Sequence, residues 1–369
     1  MDEFTLIDNI KRICKSSVLD VYDRMVRLIR GSLKGTTYAL DSTIIRTKPN
    51  FPGCGMTKRQ KENRPNDPPE TIYGFKLFVL YEIKSRIITA IDIVPANESD
   101  SNYFLAMIKK GIRNCGKDKI KLVIADRGFL DGANMWELKH KLGVDFIIPS
   151  KSNMDVYKDA TGLREIYTQS GRTVAKWPYG KSECEGYGVN NLLSYMAYNP
   201  PNTKDNSTTT GSPINAVVVT TWRGKSITPG KEAVLLTSLP AEEDVLAVAC
   251  GYRQRALIEN CAFRELKQAA YLQYLPHRTG ETAENAAYLH IMLCVFAHTL
   301  FYAFIGSRNN KIPKSKNGDC LRAFRRKEFT STDKRILIIA KEKYYALFSL
   351  NELFAIFNVK QKHKLEMRC

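Results

Sequence analysis

Apolar residues recur at helical spacing between positions 5 and 30 (Leu6, Ile10, Ile13, Val18, Val21, Met25, Leu28), which predicts one or two short helices ended by Gly31. The period then changes. TYALDSTIIR (37–46) reads as a strand carrying Asp41, and the Pro-, Gly- and charge-rich stretch 48–70 reads as a basic loop. TIYGFKLFVLYEI (71–83) and SRIITAIDIVPA (85–96) are β-branched and aromatic and nearly contiguous, so an antiparallel hairpin is expected. Asn97 or Ser99 can cap a helix through Ile112, with Phe104, Leu105, Ile108 and Ile112 on one face. KIKLVIAD (119–126) is a short apolar run ending in Asp126, as in a buried parallel strand; a helix over 129–142 leads to a last strand, VDFIIPS (144–150).

Strand, strand, strand, helix, strand, helix, strand is the order of the ribonuclease-H-like fold, whose first and fourth strands are neighbours. The expected class is therefore α/β, a ribonuclease-H-like mixed sheet flanked by helices. Neighbouring first and fourth strands would bring Asp41 and Asp126 together although 126 − 41 = 85 positions separate them. From 151 to 240 the chain is rich in Gly, Thr, Tyr and Asn, with strand-like runs at 214–222 and 233–240, and reads as a mainly β insertion before the last catalytic helix. Pro240 and the acids after it open a long helix that carries Glu259. The expected division is a short helical segment (1–34), a core in two parts (35–150 and 241–306) around the insertion (151–240), and a basic C-terminal region (307–369).

Composition narrows the partners. A net charge of +18 in 369 residues favours a polyanion, and nucleic acid is the first candidate. The region from Ser307 holds 16 Lys and Arg against 6 Asp and Glu, a net of 16 − 6 = +10. No signal-peptide pattern opens the chain, so a cytoplasmic location is expected, nucleoid-associated in a bacterium. The apolar run at 291–305 falls short of the roughly 20 residues that span a bilayer and reads as a buried helix. Nine scattered cysteines without a CxxC pair indicate reduced thiols. His290, Cys294 and His298 line one helical face, where packing explains them better than zinc.

Asp inside an apolar strand is disfavoured by propensity and by desolvation, so Asp41 and Asp126 call for a reason. Three carboxylates on different elements suffice to hold two magnesium-type ions for phosphodiester chemistry, and Glu259 supplies the third. Chance placement of carboxylates is the competing account. Tyr252, Arg255 and Glu259 are spaced by three and four and would share a helical face, as would a plain solvated ion pair.

ALDSTIIR, GFKLFVLYEIKSRIITAIDIVPANESDS, VIADRGFLDG and YRQRALIENCAFRELKQ together resemble the motifs of DDE transposases of insertion-sequence family four, over about residues 37–305. The resemblance implies metal-binding catalytic roles for Asp41, Asp126 (in D-R-G-F) and Glu259 (in Y-x-x-R-x-x-x-E), with Mg2+ as cofactor, Mn2+ able to substitute, and two ions per site. It further implies that Tyr252 and Arg255 grip DNA phosphates. The family's Lys lies seven positions after the Glu, where this chain has Leu266; Lys267, at eight, is carried over in its place. Arg127 would contact a phosphate or cap its turn. Trp222 or Trp177 would stack on a flipped base, as an exposed aromatic of the insertion does in relatives, or pack in the core.

The implied activity is cut-and-paste transposition through a hairpin intermediate, on terminal inverted repeats and target DNA, by a homodimer. Two other readings stay open: a domesticated, inactive DNA-binding derivative, and a nuclease of the same fold. Forty residues precede Asp41, fewer than relatives often carry, which suggests a truncated chain or end recognition placed elsewhere.

Overall fold

A computed structural model describes residues 12–60, 67–169, 174–179, 182–201, 211–223, 232–276, 280, 282–307, 335–339 and 345–349. The chain divides into units 1–312 and 313–369. The described part of the second is a single hairpin, Arg335–Ile339 paired antiparallel with Tyr345–Ser349. The rest of the expected basic C-terminal region lies outside the described residues.

In the first unit, helix α1 (Lys15–Ile29) precedes strands β1 (Thr37–Arg46), β2 (Gly55–Arg59), β3 (Glu70–Glu82) and β4 (Ile87–Pro95). Helix α2 (Asp100–Cys115), β5 (Leu122–Ala125), α3 (Gly132–His140) and β6 (Asp145–Pro149) follow. β3 and β4 form the expected hairpin, β1 pairs antiparallel with β3, and β1 runs parallel to β5 in the register Leu40↔Ala125. Reading β4, β3, β1, β5, β6 across the sheet gives the ribonuclease-H-like order, with the first and fourth major strands adjacent.

One expectation is corrected here. The basic loop is partly a strand: β2 pairs with β3 at the same residue, Gly74, that faces the end of β1. The long β3 outreaches its neighbours, and its free backbone groups there take a further partner.

The β-rich segment does not form a body of its own. After two short helices, α4 (Asp155–Gly162) and α5 (Arg164–Gln169), it adds β7 (Ala175–Tyr179), β8 (Ser182–Leu192), β9 (Ile214–Arg223) and β10 (Glu232–Thr237). β10 pairs antiparallel with β6, and the sheet continues through β9, β8 and β7 to ten strands in all. Side-chain alternation then separates two cores across this sheet. Phe146, Ile148, Val218, Val234 and Leu236 join the larger cluster with Tyr38, Leu40, Phe78, Phe104 and Phe129, while Ile147, Val217 and Leu235 face Val245 and Val248.

The long helix expected after Pro240 is interrupted. Helix α6 (Val245–Arg253), begun by Asp244 accepting from the Ala247 N–H, ends in a turn at 254–255. The chain then resumes helically through a π-helical segment, Ile258–Phe263, into α7 (Arg264–Gln268). The last helix among the described residues, α8 (Ala283–Ser307), is longer than the apolar run suggested. Its Ala283–Phe304 stretch is long and apolar enough to cross a membrane by length and composition alone. Its contacts are those of a packed helix: Tyr302 donates its hydroxyl to both oxygens of the fully buried Glu265 at 2.8 Å, and Thr299 meets the Tyr22 hydroxyl at 2.8 Å.

Candidate active site

β1 and β5 run parallel in the register Leu40↔Ala125, which brings Asp126, just past the end of β5, beside Asp41, midway along β1. Each aspartate is fixed by the residue after it. The Ser42 N–H donates to Asp41 Oδ1 at 2.7 Å, and the Arg127 N–H donates to Asp126 Oδ1 at 2.7 Å as the chain turns into a 3-10 segment, Arg127–Phe129. One oxygen of each carboxylate is thereby held at the backbone. Glu259 reaches the same place from the π-helical segment, and all three carboxylates line one cleft of about 780 Å3 together with Asp100, Lys76, Arg59, Arg46 and Lys267.

Arg255 is the electrostatic centre of the group. Its Nη1 lies 2.8 Å from Asp41 Oδ2 and 2.8 Å from Glu259 Oε1, and its guanidinium stands 6.0 Å from the Tyr252 ring centre. Burial alone would lower the Arg255 pKa; Asp41, Tyr252, Glu259 and Asp126 more than offset it and raise it. Burial pushes Asp41 up to about 7, against the pull of Arg255 and the Ser42 N–H, with Glu259 and Asp126 adding repulsion. The structure therefore places Arg255 toward the carboxylates, where the sequence suggested a grip on DNA. Tyr252 is half-buried against the Val245–Val248 cluster.

Lys267 lines the cleft despite its displacement by one residue. A π-helical turn takes up about one residue more than an α turn, so one of each advances about eight residues and returns to the same face. The segment Ile258–Phe263 carries Glu259 and runs on toward Lys267, and it keeps Lys267, at position eight, in phase with Glu259. Burial lowers the Lys267 pKa, and the like charges of Arg59 and Arg46 lower it further. Three converging cations beside a carboxylate cluster form a setting for a polyanion.

The other candidates are less central. Arg127 is exposed beside Asp126. Trp222, in β9, pairs through its backbone with Glu183 of β8, and its side chain lies outside the described residues. Trp177 belongs to the core, with the Arg253 guanidinium 5.8 Å from its ring centre. His290 and Cys294 meet the backbone carbonyls of Tyr271 and Ala270, and His298 meets Glu265, so their shared helical face is used for packing.

Asp41, Asp126 and Glu259, three of the four carboxylates that line the cleft, form a donor set that suits hard divalent cations. Among the described residues no three His, Cys, Asp or Glu side chains are grouped closely enough to hold a metal ion, and Arg255 bridges Asp41 and Glu259. Glu259, with its side chain 52% exposed, has room to swing. Sequence reasoning missed Asp100 and Lys76; an acid opening a helix and a lysine in a strand carry no signal beyond local propensity.

Residues 32–296 match the family model described as the transposase DDE domain. No curated protein matches the chain. Among solved structures, it is similar to a piggyBac transposase seen by cryo-electron microscopy in a synaptic complex with hairpin DNA, at 11% identity and a TM-score of 0.41. That match covers 83% of this chain and 57% of the other, so the chain spans little more than half of that protein's length.

Proposed function

Because the chain belongs to the transposase DDE domain family, we propose that it cleaves and joins DNA at the ends of a mobile element. The observation that carries the reading is that Asp41 in β1, Asp126 just past β5 and Glu259 in the π-helical segment line one cleft with a cationic rim. Asp41, Asp126 and Glu259 would hold two divalent ions, Mg2+ or Mn2+. When bound, these ions supply activation of the attacking oxygen and stabilisation of the leaving one.

The protein's own residues divide the remaining work. The Ser42 and Arg127 amides orient Asp41 and Asp126 through one oxygen each, and Arg255 holds the second oxygen of Asp41 in the free protein. Lys267, Arg59 and Arg46 hold phosphates, and their mutual repulsion is relieved when they do. Arg255 compensates Asp41 and Glu259 in the free protein; when a cation takes over that compensation, its guanidinium is released toward the DNA backbone. The fuller family-four reading, with Tyr252 and Arg255 gripping the transposon end, Arg127 on a phosphate, Trp222 on a flipped base, a hairpin intermediate and a dimer on two duplex ends, belongs to this proposal.

The test uses the full chain with Mg2+ or Mn2+ and duplexes made from the flanks of its coding sequence. Nicking at an element end followed by plasmid insertion supports a transposase, and cutting without joining supports a nuclease. Cleavage that survives Asp126→Ala overturns the assignment.

A further inference from the structure

A fourth carboxylate in the cleft is engaged differently from the other three. Asp100 is the first residue of α2, and its Oδ1 accepts from Ser42 Oγ at 3.1 Å and from Lys76 Nζ at 3.0 Å. Lys76, whose side chain is only 12% exposed, also donates to the Glu98 carbonyl at 2.6 Å. The other oxygen of Asp100 closes on Gly128: a Cβ added there would lie 2.9 Å from Oδ2.

These partners are next to the two catalytic aspartates. Ser42 follows Asp41 and holds it by its amide; Gly128 is two residues after Asp126, in the turn whose first amide holds Asp126. We propose that Asp100 is a positioning residue that ties β1, β3 and the 127–129 turn together and so sets the separation and aim of Asp41 and Asp126. A first-turn acid needs only the helix dipole to be accommodated. Two side-chain donors from two different strands go beyond that need. Oδ1 already takes two donors, one an ammonium, which fits a group that braces ligands. Lost braces of that kind typically cost about 10–100-fold in metal affinity.

The inference rests on the proposed carboxylate roles, and the experiment separates the two. Mn2+ binding to the full chain is titrated by the electron paramagnetic resonance of the free ion, at about pH 8 and without DNA. Asp100→Ala is expected to weaken binding about 10–100-fold, with the melting temperature in EDTA little changed. Asp100→Asn, which retains an acceptor for Ser42 and Lys76, stays within a few-fold of the unaltered chain. Ser42→Ala, which removes only a hydroxyl, weakens binding severalfold, so the proposal stays testable if Asp100→Ala folds poorly. Gly128→Ala weakens binding in the unaltered chain and has little further effect beside Asp100→Ala. Unaltered affinity in Asp100→Ala or Ser42→Ala, with Asp126→Ala defective, overturns the brace alone. If Asp126→Ala binds Mn2+ as well as the unaltered chain, the metal-site reading falls and the brace with it.

Discussion

Nη1 of Arg255 lies 2.8 Å from Oδ2 of Asp41, across 214 positions of sequence, and the same nitrogen also meets Glu259 at 2.8 Å. The arginine is thus an internal counter-cation for two carboxylates that repel each other. Removing it leaves Asp41 buried near like charges. Arg255→Ala should therefore lower the stability of the metal-free protein by about 2 kcal/mol, and Mg2+ should raise its melting temperature more than that of the unaltered chain. Thermal melts with EDTA and with Mg2+ measure both.

Asp41 gives a pH dependence with a definite sign. Its folded-state pKa is raised to about 7, so between the ordinary carboxylate range and pH 7 the native protein binds a proton that the unfolded chain has released. The metal-free protein loses stability as pH rises through that window and levels off above it. The proposed cation binding runs the opposite way: below about 7 an ion bound at Asp41 would displace a proton, and apparent affinity should fall by up to about tenfold per pH unit. Mn2+ titrations over a pH series check the slope, and a flat profile would contradict it.

The π-helical segment predicts tolerance of a deletion. Removing the exposed Asn260 shortens the Glu259-to-Lys267 spacing to seven, and a regular α-helix then keeps both on one face. The deletion should keep DNA affinity within a few-fold, whereas Lys267→Ala should weaken binding to duplexes of any sequence and flatten the salt dependence. Fluorescence anisotropy at several salt concentrations compares them.

Much of the site was legible because its signals are local. Alternation and strand length locate β1 and β5, and Asp within apolar strands stands out at once. The strand order then follows from element order, and adjacency of Asp41 and Asp126 from strand order. What was not legible depends on contacts distant in sequence. Nothing near Arg255 says that it points at Asp41, nothing near Asp100 says that strands donate to it, and the π turn leaves only a lysine one place late. The union of the β-rich segment with the central sheet depends on the pairing of Leu235 with Pro149, which no periodicity encodes.

Behind the cleft, Tyr302 spans both oxygens of Glu265 and holds α8 against α7, the helix that carries Lys267. Tyr302→Phe should cost about 2 kcal/mol in a denaturant melt, with no direct loss at the carboxylates. Cation affinity measured in the folded variant should match that of the unaltered chain.

The seam between β6 and β10 also bears on how such a protein can be shortened. β6 has β5 on one side and β10 on the other, so cutting away residues 151–240 would bare a row of backbone donors and acceptors beside the strand that leads to Asp126. It would also uncover Ile147, which now packs with Val217 and Leu235. A raw edge of that kind recruits other chains. The added strands thus cover that edge of β6, and a shortened version of the protein would need a replacement strand or a charged edge there.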